Sequence, residues 1–134
     1  MESLENNKEL IRAYIKSYET EDLENVAKFL HPSHVYYPPG GGKPLGLGER
    51  MADERFFFLA FSGIETTVED QIAEGAGVAS RISMRCAHTG DYQGIPPTNK
   101  RIAITYMSMA LLRNGKILKE WAEFDLLNIL NQLK

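Results

Sequence analysis

The sequence predicts an α+β domain in which helices cover one face of a curved antiparallel sheet. Apolar residues recur at gaps of three and four up to Phe61 and at gaps of two from Ile64 onward. The helical part precedes the strand part without alternating with it, which separates an α+β domain from a βαβ fold. The pair Asn114-Gly115 is the strongest short hairpin signal available, because both residues tolerate positive φ.

The first helix is predicted over residues 4–19, with Leu10, Ile11, Tyr14, Ile15 and Tyr18 on its buried side. Thr20 can cap a second, shorter helix, with Glu21 and Asp22 where the helix dipole favours anions. Its apolar set is Leu23, Val26, Ala27, Phe29 and Leu30, and it ends before His31-Pro32. His34-Val35-Tyr36-Tyr37 reads as a short strand stopped by Pro38-Pro39, and residues 38–48 read as a flexible, glycine-rich lid. A third helix follows over residues 49–61, with Met51, Phe56, Phe57, Leu59 and Ala60 expected on or near its buried side. Ile64, Thr66, Val68, Asp70 and Ile72 then alternate as one face of a half-exposed strand. Three further strands are predicted over residues 78–89, 101–113 and 117–125, and a short leucine-rich tail, residues 126–133, closes the chain.

A length of 134 residues fits one domain, residues 1–134, able to bury about two-thirds of its unfolded surface. The net charge of −3 and pI near 5.6 leave no basic footprint, so no nucleic-acid partner is expected. No apolar run approaches the roughly 20 residues of a membrane span. Met1-Glu2-Ser3-Leu4-Glu5 is acidic and unlike a secretory signal. The single cysteine, Cys86, cannot form a disulfide within the chain, and a reducing cytoplasm is the expected compartment.

A two-residue turn at Asn114-Gly115 fixes the register of the last hairpin. It predicts the pairs Ala110 with Lys119, Ser108 with Trp121, Tyr106 with Glu123 and Ile104 with Asp125, all on one mixed face. The opposite face holds Met107, Met109, Leu111, Leu118, Ala122 and Phe124, with Glu120 as its one charge. The mixed face is expected to line a cavity, since ligand pockets combine aromatic walls with a few placed polar groups. The methionine-rich face, through Met107, Met109, Leu111, Leu118 and Phe124, is expected to meet a second copy in a homodimer.

These motifs resemble a known family. His88-Thr89-Gly90, Gly94-Ile95-Pro96-Pro97-Thr98 with Lys100, Asn114-Gly115-Lys116-Ile117, Glu120-Trp121, Asp125 and Gln132-Leu133 together are similar to the SnoaL-like polyketide cyclases of the nuclear transport factor 2-like superfamily. The resemblance covers nearly the whole chain. It implies a cystatin-like roll, a cone of curved sheet wrapped around three helices with a pocket at the wide end. It also implies cofactor-free aldol-type cyclisation or isomerisation of a small apolar or aromatic carbonyl compound. A non-catalytic small-molecule binder or a protein-interaction module would use the same scaffold.

By motif position the acid/base role falls on Asp125, which also precedes the terminal helix as a favoured N-cap. Glu123 shares its predicted face and is the rival acid. Trp121, Tyr106 and Tyr37 are candidate pocket walls, with the Tyr106 hydroxyl able to reach a substrate oxygen. His88 is a candidate pocket-edge residue and His34 a candidate ligand contact. No metal is expected: His31 and His34 straddle Pro32 with no cysteine or carboxylate to complete a set. Gly40-Gly41-Gly42-Lys43 lacks phosphate-loop spacing.

Overall fold

The computed structural model describes residues 3–134; Met1 and Glu2, the start of the acidic N-terminal stretch, lie outside the described residues. Helix α1 spans Leu4–Ser17, α2 Leu23–Ala27, α3 Leu47–Ala60 and α4 Leu126–Gln132. The strands are β1 Leu30–Tyr37, β2 Leu45–Gly46, β3 Phe61–Glu74, β4 Gly77–His88, β5 Arg101–Arg113 and β6 Lys116–Phe124. They form one curved sheet in the order β2-β1-β6-β5-β4-β3. The β1–β6 pair is parallel and every other pair antiparallel, so the expected α+β class and helix-covered sheet are present.

Local chemistry sets the helix ends. Ser3 accepts the Asn6 N–H at 3.0 Å and starts α1, while Asp22, rather than Thr20, accepts the Glu24 N–H at 2.9 Å and starts α2. The Glu49 side chain reaches back to the Gly46 N–H at 3.2 Å and starts α3 two residues earlier than expected. Leu30 to Pro32 join the first strand instead of ending a helix, and β2 sits inside the segment expected as a lid. The Asn114-Gly115 turn has φ of 54° and 72°, as the hairpin requires. Gly90 is held by N–H bonds from Thr89 and Gly90 to the Ala60 carbonyl, both 2.9 Å. A Cβ at Gly90 would collide with the Leu59 carbonyl oxygen.

Side-chain parity departs from expectation at two bulges, where one extra residue turns every later side chain to the other face. In β3 the pairs Val68↔Ile82 and Asp70↔Arg81 leave Glu69 unpaired. Ile72 therefore turns outward and is 74% exposed, while Ala73 packs on the core. In β6 the pairs Leu111↔Lys119 and Leu112↔Ile117 leave Leu118 unpaired. The observed partners are Ala110↔Glu120, Ser108↔Ala122, Met109↔Trp121 and Tyr106↔Phe124, each one residue from the expected register.

The core lies between the inner sheet face and the helices. α1 packs on β3 and β4, and α3 on β1. Ile11, Tyr14, Ile15, Val26, Phe61, Ile82, Cys86 and Ile117 are fully buried there. On α3 the inward stripe is Leu47, Arg50, Met51, Glu54, Phe57 and Phe58, at helical spacing. Phe56 and Leu59, expected on the buried side, face solvent at 69% and 65% exposure because they fall off that stripe.

Candidate active site

The β6 bulge turns over the β6 side of the last hairpin, while β5 keeps its expected faces. Trp121 and Glu123 lie on the outer face and are exposed, with Trp121 stacked on Tyr37 across the β1–β6 pair, rings 4.8 Å apart and nearly parallel. Glu123 accepts the Gly40 N–H at 3.2 Å. Asp125 is exposed and caps α4, accepting the Asn128 N–H at 3.1 Å. The structure thus does not bring Trp121, Glu123 and Asp125 together around an interior chamber. Tyr106 does face inward, half-buried, beside Phe124, which packs on the core rather than on the outer face.

What the interior holds instead is an ionic cluster built on Arg50 and Glu120, both about 2–3% exposed. The Arg50 Nη1 donates to Glu120 Oε1 at 2.6 Å and to His34 Nε2 at 3.0 Å. Its Nη2 donates to the hydroxyls of Tyr14 and Tyr18 at 2.8 and 3.2 Å. The Tyr14 hydroxyl donates to Glu120 Oε1 at 2.7 Å, and Ser108 donates to Glu120 Oε2 at 2.9 Å. The guanidinium lies 4.0 Å from the centre of the Tyr36 ring, a cation–π contact. His34 donates from Nδ1 to the Ile117 carbonyl at 2.8 Å, so its Nε2 is free to accept from Arg50 and the ring is neutral.

Glu54 completes the cluster one helical turn beyond Arg50, with Oε1 3.7 Å from Arg50 Nε and a side chain 12% exposed. Among the described residues Arg50 Nε has no hydrogen-bond partner. The two carboxylates on this one guanidinium differ. Burial raises the Glu54 carboxyl above its ordinary range, against the pull of Arg50. Burial acts the same way on Glu120, but the charge of Arg50 and the bonds from Arg50, Tyr14 and Ser108 hold it below that range. Burial and Arg50 lower His34, against the bond to the Ile117 carbonyl. Burial pushes the Tyr36 and Tyr106 hydroxyls well up, so both remain donors at neutral pH.

Glu54 therefore sits at the rim of the interior as a carboxyl whose ionised form burial disfavours, with the half-buried Phe57, Phe58 and Tyr106 among the aromatic groups packed on the core. Sequence reasoning missed Arg50 and Glu54. The signal was present: two charges one turn apart on the apolar stripe of α3. Glu120 carried the same signal as the lone charge of an otherwise apolar face. His34, the candidate ligand contact, lies inside the cluster, and His88 is fully buried at the end of β4. Among the described residues no three His, Cys, Asp or Glu side chains are grouped to hold a metal. No helix among them is long and apolar enough to cross a membrane.

The family model for SnoaL-like polyketide cyclases matches residues 8–133. IdmH of Streptomyces antibioticus, proposed to be a polyketide cyclase, is 26% identical, with a TM-score of 0.82 over 95% of this chain and 97% of that one. AclR of Streptomyces galilaeus, proposed to be a hydroxylase, is 22% identical, with a TM-score of 0.89 over 98% of this chain and 82% of that one. A SnoaL-like protein of Jannaschia is 18% identical, with a TM-score of 0.84 over 95% of this chain and 90% of that one. No functionally curated protein matches this chain in sequence.

Proposed function

This chain belongs to the SnoaL-like polyketide cyclase family, and on that premise we propose that it is a cofactor-free enzyme moving a proton on a small aromatic carbonyl compound. The reaction class is aldol-type cyclisation or isomerisation. The observation that carries the reading is the pair of carboxyls sharing Arg50, one held ionised and one raised, since environments that push two acids apart assign their roles. Glu54 takes a proton from the carbon next to a carbonyl. The carbon attacks a second carbonyl of the same molecule, and the resulting alkoxide takes the proton back from Glu54. Glu120 stays ionised and fixes Arg50, which keeps a positive charge beside the reacting groups. Tyr106 and Tyr36 are donors near the developing oxyanion.

The test is turnover of an aromatic polyketide ester by Glu54→Gln. A loss of about 10²–10⁴-fold in kcat/KM with the fold intact is expected, the usual worth of a general acid/base. Asp125→Asn, which keeps the α4 cap, is expected to turn over as fast as wild type. Equal turnover by Glu54→Gln and wild type would overturn the assignment.

A second reading, a protein-interaction module, rests on the side chains of Tyr14, Tyr18, Phe57 and Phe61 that fill the interior. It predicts no ligand-dependent change at Glu54 and capture of a partner other than the chain itself. We also propose a homodimer through the outer sheet face. There Ile72, Ala79, Met109, Trp121 and Tyr37 are linked strand to strand into one row across five strands. Trp121 and Tyr37 add to the expected set, while Phe124 leaves it for the core. A cytoplasmic location fits the lone, buried Cys86, whose thiol burial pushes up to about 11.

A further inference from the structure

His88 closes β4 on the inner face and is fully buried. Its Nδ1 accepts the backbone N–H of Thr98 at 3.2 Å and lies 3.0 Å from the Thr98 hydroxyl. That hydroxyl oxygen already accepts the Lys100 N–H at 3.3 Å, so its own proton is free to point at Nδ1. A ring nitrogen that accepts an N–H carries a lone pair, and the imidazole proton therefore sits on Nε2. Among the described residues Nε2 has no hydrogen-bond partner.

A buried donor left unpaired costs about 1–3 kcal/mol. Here the mount is firm. The His88 N–H donates to the Lys100 carbonyl at 2.9 Å, and the His88 carbonyl accepts from Asn99 at 2.8 Å. Thr89 and Gly90 fasten the next two residues to the end of α3. The donor is thus fixed from both sides and aimed into apolar, aromatic surroundings.

Those surroundings run continuously to the ionic cluster. Phe61 lies 5.5 Å from the His88 ring and 4.9 Å from Tyr92, centre to centre. Phe57 lies 5.2 Å from Phe61 and 6.0 Å from Phe58, and Phe58 lies 5.8 Å from Tyr18, which bonds Arg50. One row of packed aromatic rings therefore joins two polar ends, and among the described residues each end carries a buried nitrogen without a partner: Arg50 Nε beside Glu54, and His88 Nε2.

We propose that His88 is a binding residue whose Nε2–H seats an acceptor oxygen of an aromatic ligand, at the end of that ligand remote from Glu54. The ligand class is a flat aromatic compound bearing a carbonyl or ring oxygen away from its reacting carbons. The proposal rests on the interior being the ligand site, as in the proton-transfer reading. His88 fixes orientation and specificity and transfers no proton.

The test uses two probes of matched shape, 2-acetylnaphthalene and 2-isopropylnaphthalene, titrated by fluorescence into the full chain. Wild type is expected to prefer the ketone by about tenfold, the worth of one good hydrogen bond. His88→Leu is expected to lose that preference, and His88→Gln, which keeps an N–H donor, to retain part of it. In nitrogen-15 spectra the Nε2 proton is expected to move downfield with the ketone and not with the hydrocarbon. This last readout keeps the proposal testable if His88→Leu does not fold. A ketone preference that survives in His88→Leu, or a bound ketone that leaves the Nε2 proton unmoved, overturns the seat and leaves the Glu54 assignment standing. Failure of both probes to bind wild type overturns the seat together with the proton-transfer reading.

Discussion

The two faces of the β5–β6 hairpin set two glutamates three residues apart into opposite surroundings. On the inner face Glu120 is 2% exposed and takes bonds from Arg50, Tyr14 and Ser108. On the outer face Glu123 is exposed and takes one long bond from the Gly40 N–H. The inner face gathers charge that is matched by charge and hydroxyls. The outer face instead exposes apolar area, with Met107 at 55% and Met109 at 51%. Residue type alone does not assign a role to either acid; the single unpaired residue at Leu118 does, by deciding which side each one faces.

Removing each acid in turn tests this difference most severely. Glu120→Ala leaves the Arg50 guanidinium buried without its counter-ion, and a loss of about 3–5 kcal/mol in urea denaturation is expected. Glu123→Ala is expected to stay within about 0.5 kcal/mol of wild type. Similar losses for both would refute the assigned faces. The double variant Arg50→Met with Glu120→Leu sharpens the point, because removing both charges is expected to restore much of what Glu120→Ala loses.

On the outer face the expected effect falls on association rather than folding. Met109→Lys places a charge in the middle of the apolar row, and sedimentation at micromolar concentration is expected to shift from dimer to monomer. Folding stability should move by no more than about 0.5 kcal/mol, as for an exposed site. An unchanged sedimentation coefficient would separate the row from any self-association. Asp125→Ala, away from both faces, is expected to cost about 1 kcal/mol as a lost N-cap, with turnover unaffected.

Much of the fold was legible because its signals are local. The gaps of three and four in α1, the Asn114-Gly115 turn and the helix-then-strand order each depend on near neighbours. The motif from His88 to Gln132 carried the family. What was not legible depends on one residue more or less in a pairing. Glu69 and Leu118 have no feature that marks them as bulges, yet each turns the following side chains over, Ile72 outward and Glu120 inward. Alternation read from a turn holds only until the first such residue. The site was partly legible: a lone charge on an apolar face implies a buried partner. Glu120 met that criterion, and so did Arg50 and Glu54 once the α3 stripe is drawn through Leu47, Met51 and Phe58 instead of Phe56 and Leu59.

The smallest expected effect separates the inner carboxyls from each other. Glu54 has a folded-state pKa raised above its unfolded value, so its contribution to stability is complete at low pH and is lost as pH rises through the folded value. Glu120 is lowered, so its contribution is present above the ordinary carboxylate range and is lost as pH falls. His34 is lowered too, and its contribution is present above an ordinary value near 6.5 and is lost on acidification. Glu54→Gln removes only the first of these. Its urea midpoint should therefore gain on wild type as pH is raised from 5 to 8, because wild type alone must ionise a buried carboxyl. His34→Gln should show the opposite slope, gaining on wild type as pH is lowered from 7.5 to 5.5. If Glu54→Gln and wild type keep a constant difference across that range, burial does not raise the Glu54 carboxyl. The acid at the rim would then be no better suited to proton transfer than one on the outer face.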